Sequence, residues 1–179
     1  MDQNCSKYLT DKAIHGLLTK AQEARLKAYC PYSKYKVGAL VYAIHPETKE
    51  EKLFTGTNVE NASYGETICA ERVAIFDAVS KGYTDIPMMF IATSNGGMSC
   101  GSCRQVEYEF NPDMEIHSIS TLTGKTKHAI LSEIHMQGFG PESVPKDDPL
   151  TSPDATWEEL GRGYIANEPR YDNFESEPE

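Results

Sequence analysis

Several features that would assign the chain to a membrane or nucleic-acid class are missing from its 179 residues. No run of about 18 apolar residues occurs, so no segment is predicted to cross a membrane. Residues 1–10 contain no apolar stretch, so we expect no secretory signal. Lysine and arginine do not cluster, although binding to a nucleic-acid polymer usually depends on such clusters. We therefore expect a cytoplasmic protein with no membrane and no polynucleotide partner.

The cysteine count argues against a disulfide framework. The chain has five cysteines, an odd number, and no expected secretory signal accompanies them. Disulfides persist in oxidising compartments, whereas cysteines in a reducing compartment more often bind metal or react. We therefore expect reduced thiols, with Cys69, Cys100 and Cys103 as candidate metal ligands and with Cys5 and Cys30 as ordinary thiols.

The negative charge is unevenly distributed along the chain. The formal net charge is −10, and residues 142–179 contain 11 acidic and 3 basic residues, which account for −8 of it. Prolines interrupt the same polar segment. We therefore predict a domain over residues 1–144 and an acidic, proline-containing tail over residues 145–179. The tail also contains aromatic residues, which favour docking on a protein surface over full solvation.

Hydrophobic periodicity predicts helices that alternate with strands. Apolar residues at helical spacing predict helices over residues 11–28 and 67–80, and we expect a third helix over residues 100–110, after the loop at residues 93–99. Strand patterns cover residues 35–44, 52–58, 88–92, 115–120 and 128–131. This order, α-β-β-α-β-α-β-β, predicts an α/β fold with a partly parallel sheet.

Two short motifs carry the candidate chemistry. Glu71 follows Cys69 by two residues, and Cys100 and Cys103 stand in Cys-x-x-Cys spacing. Three thiolates can hold a tetrahedral zinc ion and leave its fourth position open to water, as in a catalytic site. A Cys or His, a nearby Glu and a following Cys-x-x-Cys form the zinc-deaminase signature, in which the Glu carries protons. Both motifs fall where a loop enters a predicted helix, whose positive end favours thiolate over thiol.

Two other residue types bear on this candidate zinc site. Arg72 follows Glu71 directly, so we predict that it supports the site by donating to a ligand sulfur. None of the five histidines falls near the Cys motifs in the sequence, so we do not expect histidine ligands.

Four stretches in a fixed order give the chain a family resemblance. They are residues 28–39 (AYCPYSKYKVGA), 58–64 (NVENASY), 69–72 (CAER) and 100–105 (CGSCRQ). Over about residues 10–141 the chain resembles the small cytidine deaminases that hold zinc with three cysteines. It departs from the family at Ser99, where a proline is usual, and at residues 134–136 (IHM), where Leu-Leu-Pro is usual.

The resemblance implies a three-layer α/β fold, with a mixed five-stranded sheet flanked by helices, and a homotetramer. It also implies one Zn²⁺ per chain, held by Cys69, Cys100 and Cys103, with Glu71 as proton shuttle. The substrate contacts that it implies come from Tyr35, Asn58, Glu60, Ala70 and Phe139, the last reaching a neighbouring subunit's site. Simpler roles remain open at this point, since Asn58 and Glu60 could shape a loop and Tyr35 could be a core aromatic.

The function that the resemblance implies is the hydrolytic deamination of free cytidine and 2′-deoxycytidine to the uridines plus ammonia, within pyrimidine salvage. An alternative is deamination of a modified cytosine nucleoside such as an antibiotic, which Ser99 and residues 134–136 motivate. A second alternative is a non-enzymatic zinc module whose acidic tail binds a partner. Glu71 and the open fourth zinc position argue against that module.

Overall fold

An apolar run forms the central strand of a five-stranded sheet. The strands are β1 (Gly38–Ile44), β2 (Glu51–Thr57), β3 (Asp85–Thr93), β4 (Glu115–Ser120) and β5 (Thr126–Ile130), in the spatial order β2-β1-β3-β4-β5. Every residue of β3 after Asp85 is buried, as expected for a strand covered on both faces. The β3–β4 pair is parallel, and the other three neighbouring pairs are antiparallel.

Helices cover both faces of this sheet. On one face lies α1 (Asp11–Arg25), whose Ile14 and Leu18 pack with Phe90 and Ile119 of the sheet. On the other lie α2 (Ala70–Ser80) and α3 (Gly101–Phe110), while α4 (Leu131–Ile134) is a single short turn. The three-layer α/β prediction, with a mixed five-stranded sheet flanked by helices, is confirmed.

The computed structural model describes residues 9–140 and Ser143, and residues 9–140 fall within the unit Met1–Pro141. The predicted tail over residues 145–179, and therefore the boundary at residue 144, lies outside the described residues. Within the described part of the chain, no helix is long and apolar enough to cross a membrane.

The predicted element order is confirmed, but several boundaries differ for identifiable reasons. The strand predicted from residue 35 begins at Gly38, because the Asn58 side chain accepts from Val37 N and donates to Tyr35 O in place of a strand partner. The helix predicted from residue 67 begins at Ala70, because Ile68 pairs with Val59 in an isolated bridge.

A close approach between strand and helix positions the start of α2. A Cβ added at Gly56 of β2 would lie 2.2 Å from Ala70 O and 2.5 Å from Ala74 N, both backbone atoms of α2. Glycine is therefore required at this point on steric grounds, since a side chain would separate the sheet from the helix that follows Cys69.

We predict that Gly56→Ala lowers the free energy of unfolding in urea by about 1–3 kcal/mol, the usual cost of overpacking. The variant should also retain less zinc, because α2 carries the residues next to Cys69. Gly16→Ala is the matched control, since nothing lies within 4 Å of an added Cβ in the middle of α1. That change should stabilise the helix by about 0.5–1 kcal/mol. Equal effects of the two substitutions would contradict the steric explanation.

Candidate active site

Three cysteine sulfurs converge where α2 and α3 begin. Cys69 is the N-cap of α2 and Cys100 is the N-cap of α3, and Cys103 lies one turn into α3. The Cys69 and Cys100 sulfurs are 3.9 Å apart, and those of Cys100 and Cys103 are 3.6 Å apart. All three sulfurs lie within 4.8 Å of one another.

This spacing fits a tetrahedral zinc ion. Four sulfurs at the usual zinc–sulfur distance of about 2.3 Å would be separated by roughly 3.8 Å. The two sulfur separations given above, 3.6 and 3.9 Å, bracket that value. Because both N-caps sit at positive helix ends, the local field also favours the thiolate form that binds metal.

The thiol pKa values reflect these contacts. Hydrogen bonds from Cys103 and Arg72 help to lower the pKa of Cys69 to about 5. The contact with Cys69, together with burial, raises the pKa of Cys103. The Arg72 contact is direct, since Nη2 lies 3.7 Å from the Cys69 sulfur. The arrangement therefore holds one sulfur as a thiolate beside a fixed guanidinium.

Glu71 lies next to this cluster and lines a cavity of about 310 Å³ together with Cys69 and Cys100. Only 5% of Glu71 is exposed. Burial raises the pKa of its carboxyl to about 7, and the negative charge at Cys69 adds to the rise. A carboxyl group that titrates near neutral pH can both accept and donate a proton, as an acid–base catalyst must.

The other side of the cavity is lined by Tyr35, Asn58 and Glu60. The Asn58 amide binds the backbone of residues 35–37, as described above. Glu60 accepts hydrogen bonds from the Ser33 hydroxyl and from the backbone N–H groups of Tyr32 and Ser33, and these bonds lower the pKa of its carboxyl. The Tyr35 hydroxyl donates to Asn95 Oδ1 at 2.7 Å. These side chains are thus held in place before any ligand binds.

Two other predicted residues take different positions. Ala70 is fully buried in the first turn of α2, where its carbonyl faces Gly56. Phe139 is 61% exposed and is not among the residues that line the cavity. The single chain therefore brings Tyr35, Asn58, Glu60, Glu71 and the cysteines together but leaves Phe139 outside.

Comparison with known proteins identifies the family. Residues 11–117 match the model described as the cytidine and deoxycytidylate deaminase zinc-binding region, and this span includes all three cysteines of the cluster. The chain belongs to the cytidine and deoxycytidylate deaminase family. It is therefore an enzyme of a zinc-dependent hydrolase family, and the resemblance inferred from its motifs is confirmed.

Individual relatives agree with this assignment. A cytidine deaminase from Halalkalibacterium halodurans is 37% identical over 131 residues, which cover 72% of this chain and 95% of the relative. One from Sporosarcina psychrophila is 34% identical over 134 residues, covering 73% of this chain and 94% of the relative. The crystal structure of cytidine deaminase from Burkholderia pseudomallei is 34% identical with a TM-score of 0.65, covering 73% of this chain and all of that one.

One buried pair in this deaminase was not predicted from its sequence. Glu107 of α3 is fully buried, and its Oε2 accepts a hydrogen bond from Ser99 Oγ at 2.9 Å. Burial raises the pKa of Glu107 to about 8, so the group is mostly protonated at neutral pH. Its Oε1 has no hydrogen-bond partner within the described part of the chain. No sequence pattern signals the pair, since an acid at helical spacing normally faces solvent.

Arg104 also binds the loop that precedes Cys100, through the Ser99 carbonyl. Its Nε donates to Ser99 O at 2.9 Å, and its Nη1 donates to Ile134 O at 2.7 Å. The loop before Cys100 is therefore fixed by two contacts of Ser99, one from its side chain to Glu107 and one from its carbonyl to Arg104.

We predict that Ser99→Ala lowers the free energy of unfolding by about 1–3 kcal/mol, because it leaves both oxygens of a buried Glu107 carboxyl without a partner. The double variant Ser99→Ala, Glu107→Leu should recover most of this loss, because it replaces both partners with apolar groups. Urea unfolding of the parent, both single variants and the double variant gives the coupling free energy. Strictly additive losses would show that the hydrogen bond does not couple the two residues.

Proposed function

We propose that the enzyme hydrolyses free cytidine and 2′-deoxycytidine to uridine and 2′-deoxyuridine, releasing ammonia. The observation that carries this proposal is the cavity that contains Glu71. It holds a buried carboxyl beside three thiols on one side and fixed hydrogen-bonding groups on the other. Its volume, about 310 Å³, lies within the range of small-molecule sites.

Cys69, Cys100 and Cys103 are the residues that would hold one zinc ion per chain. A zinc ion held by three protein ligands can lower the pKa of a bound water to near 7, which supplies the nucleophile at neutral pH. Arg72 supports this arrangement, because its guanidinium offsets part of the charge that three thiolates place around the metal.

Glu71 moves the protons in the proposed reaction. It takes one proton from the attacking water and delivers it to N3 of the pyrimidine, as the water oxygen bonds to C4. It then carries the second proton of that water to the exocyclic amine. The C4–N bond breaks and ammonia leaves, while C4 keeps the oxygen as a carbonyl. A carboxyl with a pKa of about 7 suits both transfers.

Asn58 and Glu60 would bind the ribose hydroxyls, and Tyr35 would lie against the base. Glu60 is an acceptor-only group when ionised, so it suits a hydroxyl donor, and its lowered pKa keeps it ionised. Ala70 would border the base from the start of α2.

The family model covers both cytidine and deoxycytidylate deaminases, so nucleoside and nucleotide substrates must be distinguished. None of the described residues that line the cavity is lysine, arginine or histidine, and Glu60 adds negative charge. Among these lining residues a phosphate group would therefore meet a carboxylate and no cation. This charge distribution favours a free nucleoside.

The two alternative functions gain no support from the site. Ser99 is 1% exposed and its hydroxyl binds Glu107, so it does not shape the cavity as a modified-nucleoside pocket would require. The non-enzymatic zinc module does not account for Glu71, a buried carboxyl group beside the thiols.

We also propose a cytoplasmic homotetramer that acts in pyrimidine salvage. Three adjacent thiols persist where the compartment is reducing. Met136 and Phe139 are 81% and 61% exposed, so a neighbouring subunit would cover apolar surface and receive Phe139 at its cavity. A monomeric mass in light scattering would rule out this assembly.

We predict that Glu71→Gln keeps the fold and the bound zinc but lowers kcat for cytidine by about 10²–10⁴-fold, the usual contribution of an acid–base group. Ultraviolet absorbance follows the conversion to uridine, and elemental analysis measures the zinc. Glu47→Gln is the matched control, since Glu47 is exposed in the turn between β1 and β2. Near-normal kcat in Glu71→Gln would require another proton carrier.

We predict that cytidine exceeds free cytosine in kcat/KM by roughly 10⁴-fold, because the proposed hydrogen bonds of Asn58 and Glu60 to the ribose are lost when the sugar is absent. Cytidine 5′-monophosphate should also react poorly. Glu60→Gln should lower kcat/KM for cytidine while leaving that for cytosine almost unchanged. Comparable values for cytosine and cytidine would contradict the assigned sugar contacts, and rapid turnover of the monophosphate would contradict the nucleoside specificity.

A further inference from the structure

A second group of side chains whose types can ligate a metal lies on the opposite face of the sheet from the cysteines. Antiparallel register places His117 of β4 directly opposite His128 of β5. Strand alternation puts Glu115 on the same face as His117, which is the face that α1 covers. Three donor atoms, one from each of these residues, lie within 4.8 Å of one another.

The separations between these donor atoms are also compatible with metal coordination. His117 Nε2 lies 3.4 Å and His128 Nε2 lies 4.0 Å from Glu115 Oε2. The first contact is a long hydrogen bond, and the second is beyond hydrogen-bonding distance. Ligands about 2.1 Å from a tetrahedral zinc ion are separated by roughly 3.4 Å, so small movements would complete the geometry.

One imidazole ring, that of His117, is buried, whereas that of His128 is half-buried and has a ring nitrogen without a hydrogen-bond partner among the described residues. His117 is 4% exposed, and its ring stacks on Phe90 with centroids 5.2 Å apart and planes inclined by 11°. His128 Nε2 is inaccessible to solvent and has no hydrogen-bond partner among the described residues. Buried polar atoms are nearly always paired, so an unpaired ring nitrogen aimed at a carboxylate indicates a missing ligand.

A cavity adjoins the two histidines. It measures about 220 Å³ and is lined by His117 and His128 from the sheet and by Asp11 and His15 from α1. The cavity provides room for a water molecule or a further side chain as a fourth ligand. It also provides a route by which a metal ion can enter from solvent.

We propose that Glu115, His117 and His128 bind a divalent transition metal ion, in addition to the zinc ion proposed for the cysteines. Two imidazoles and one carboxylate are a donor set that Zn²⁺ and Co²⁺ accept readily. The ion would join β5, the edge strand, to β4 beneath α1. Its role is structural, because none of these three residues lines the cavity that contains Glu71.

Metal titration of the full chain tests the proposal. After removal of bound metal under reducing conditions, equilibrium dialysis against ZnCl₂ should load two ions per chain. His128→Ala should weaken the binding of one of these ions by at least about tenfold. Mutating a residue that only supports a metal ligand already lowers metal affinity by about that much, and loss of a ligand should cost at least as much. His45→Gln, which changes a histidine in the turn after β1, should still bind two ions with unchanged affinity.

Cobalt distinguishes the two sites without any activity measurement. Binding of CoCl₂ to the cysteines should produce thiolate-to-metal charge-transfer absorption in the near ultraviolet, whereas the second ion should add only visible ligand-field bands. His128→Ala should abolish the second set and keep the first. Glu115→Gln, which preserves side-chain shape, should do the same and serves as the test if His128→Ala fails to fold.

The outcomes decide the matter separately for each site. If the cobalt-loaded parent shows the visible ligand-field bands of the second ion but no charge-transfer absorption, the cysteine site is refuted and the second site is still supported. One bound ion per chain in the parent, with charge-transfer absorption intact, would overturn the Glu115, His117 and His128 site. Two ions retained in a folded His128→Ala or Glu115→Gln variant, with unchanged affinity and spectra, would overturn it as well.

Discussion

The candidate active site depends on the meeting of two helix N-termini. Cys69 caps α2 and Cys100 caps α3, and their sulfurs lie 3.9 Å apart. Neighbouring thiolates repel one another, but the positive ends of both helices and the Arg72 guanidinium oppose that repulsion. The meeting in turn depends on Gly56, whose missing side chain lets α2 lie directly on β2. A steric requirement on one strand therefore helps to position charged groups on a helix.

Two buried glutamates, one in α2 and one in α3, differ in their access to the cavity and therefore in the roles open to them. Burial raises the pKa of both, to about 7 in Glu71 and about 8 in Glu107. Glu71 lines the cavity, where a substrate atom could exchange a proton with it. Glu107 instead binds the Ser99 hydroxyl within the protein and so supports the loop before Cys100. A raised pKa is therefore found in both glutamates and does not by itself indicate catalysis. The surroundings of each carboxyl distinguish the catalytic candidate from the structural residue.

The two faces of the sheet carry donor groups of different chemical character. Sulfur donors lie at the start of α2 and α3, beside a cavity that reaches the sugar-binding candidates. Imidazole and carboxylate donors lie between β4 and β5, under α1. Helix caps assemble the first group and cross-strand register assembles the second. The α/β layering keeps the two apart, since the sheet itself lies between them.

The sequence by itself determined the order of elements, the family and the placement of both Cys motifs at helix starts. These features can be predicted because periodicity, capping position and motif spacing each depend on residues that are close together in the sequence. The tertiary structure decided which side chains meet. Asn58 binds the backbone of residues 35–37, and Glu107 pairs with Ser99. His117 and His128 meet Glu115, a grouping that no pattern in the sequence predicted. Such contacts depend on strand register and on which face of the sheet a helix covers, and these are settled by packing between segments far apart in the chain.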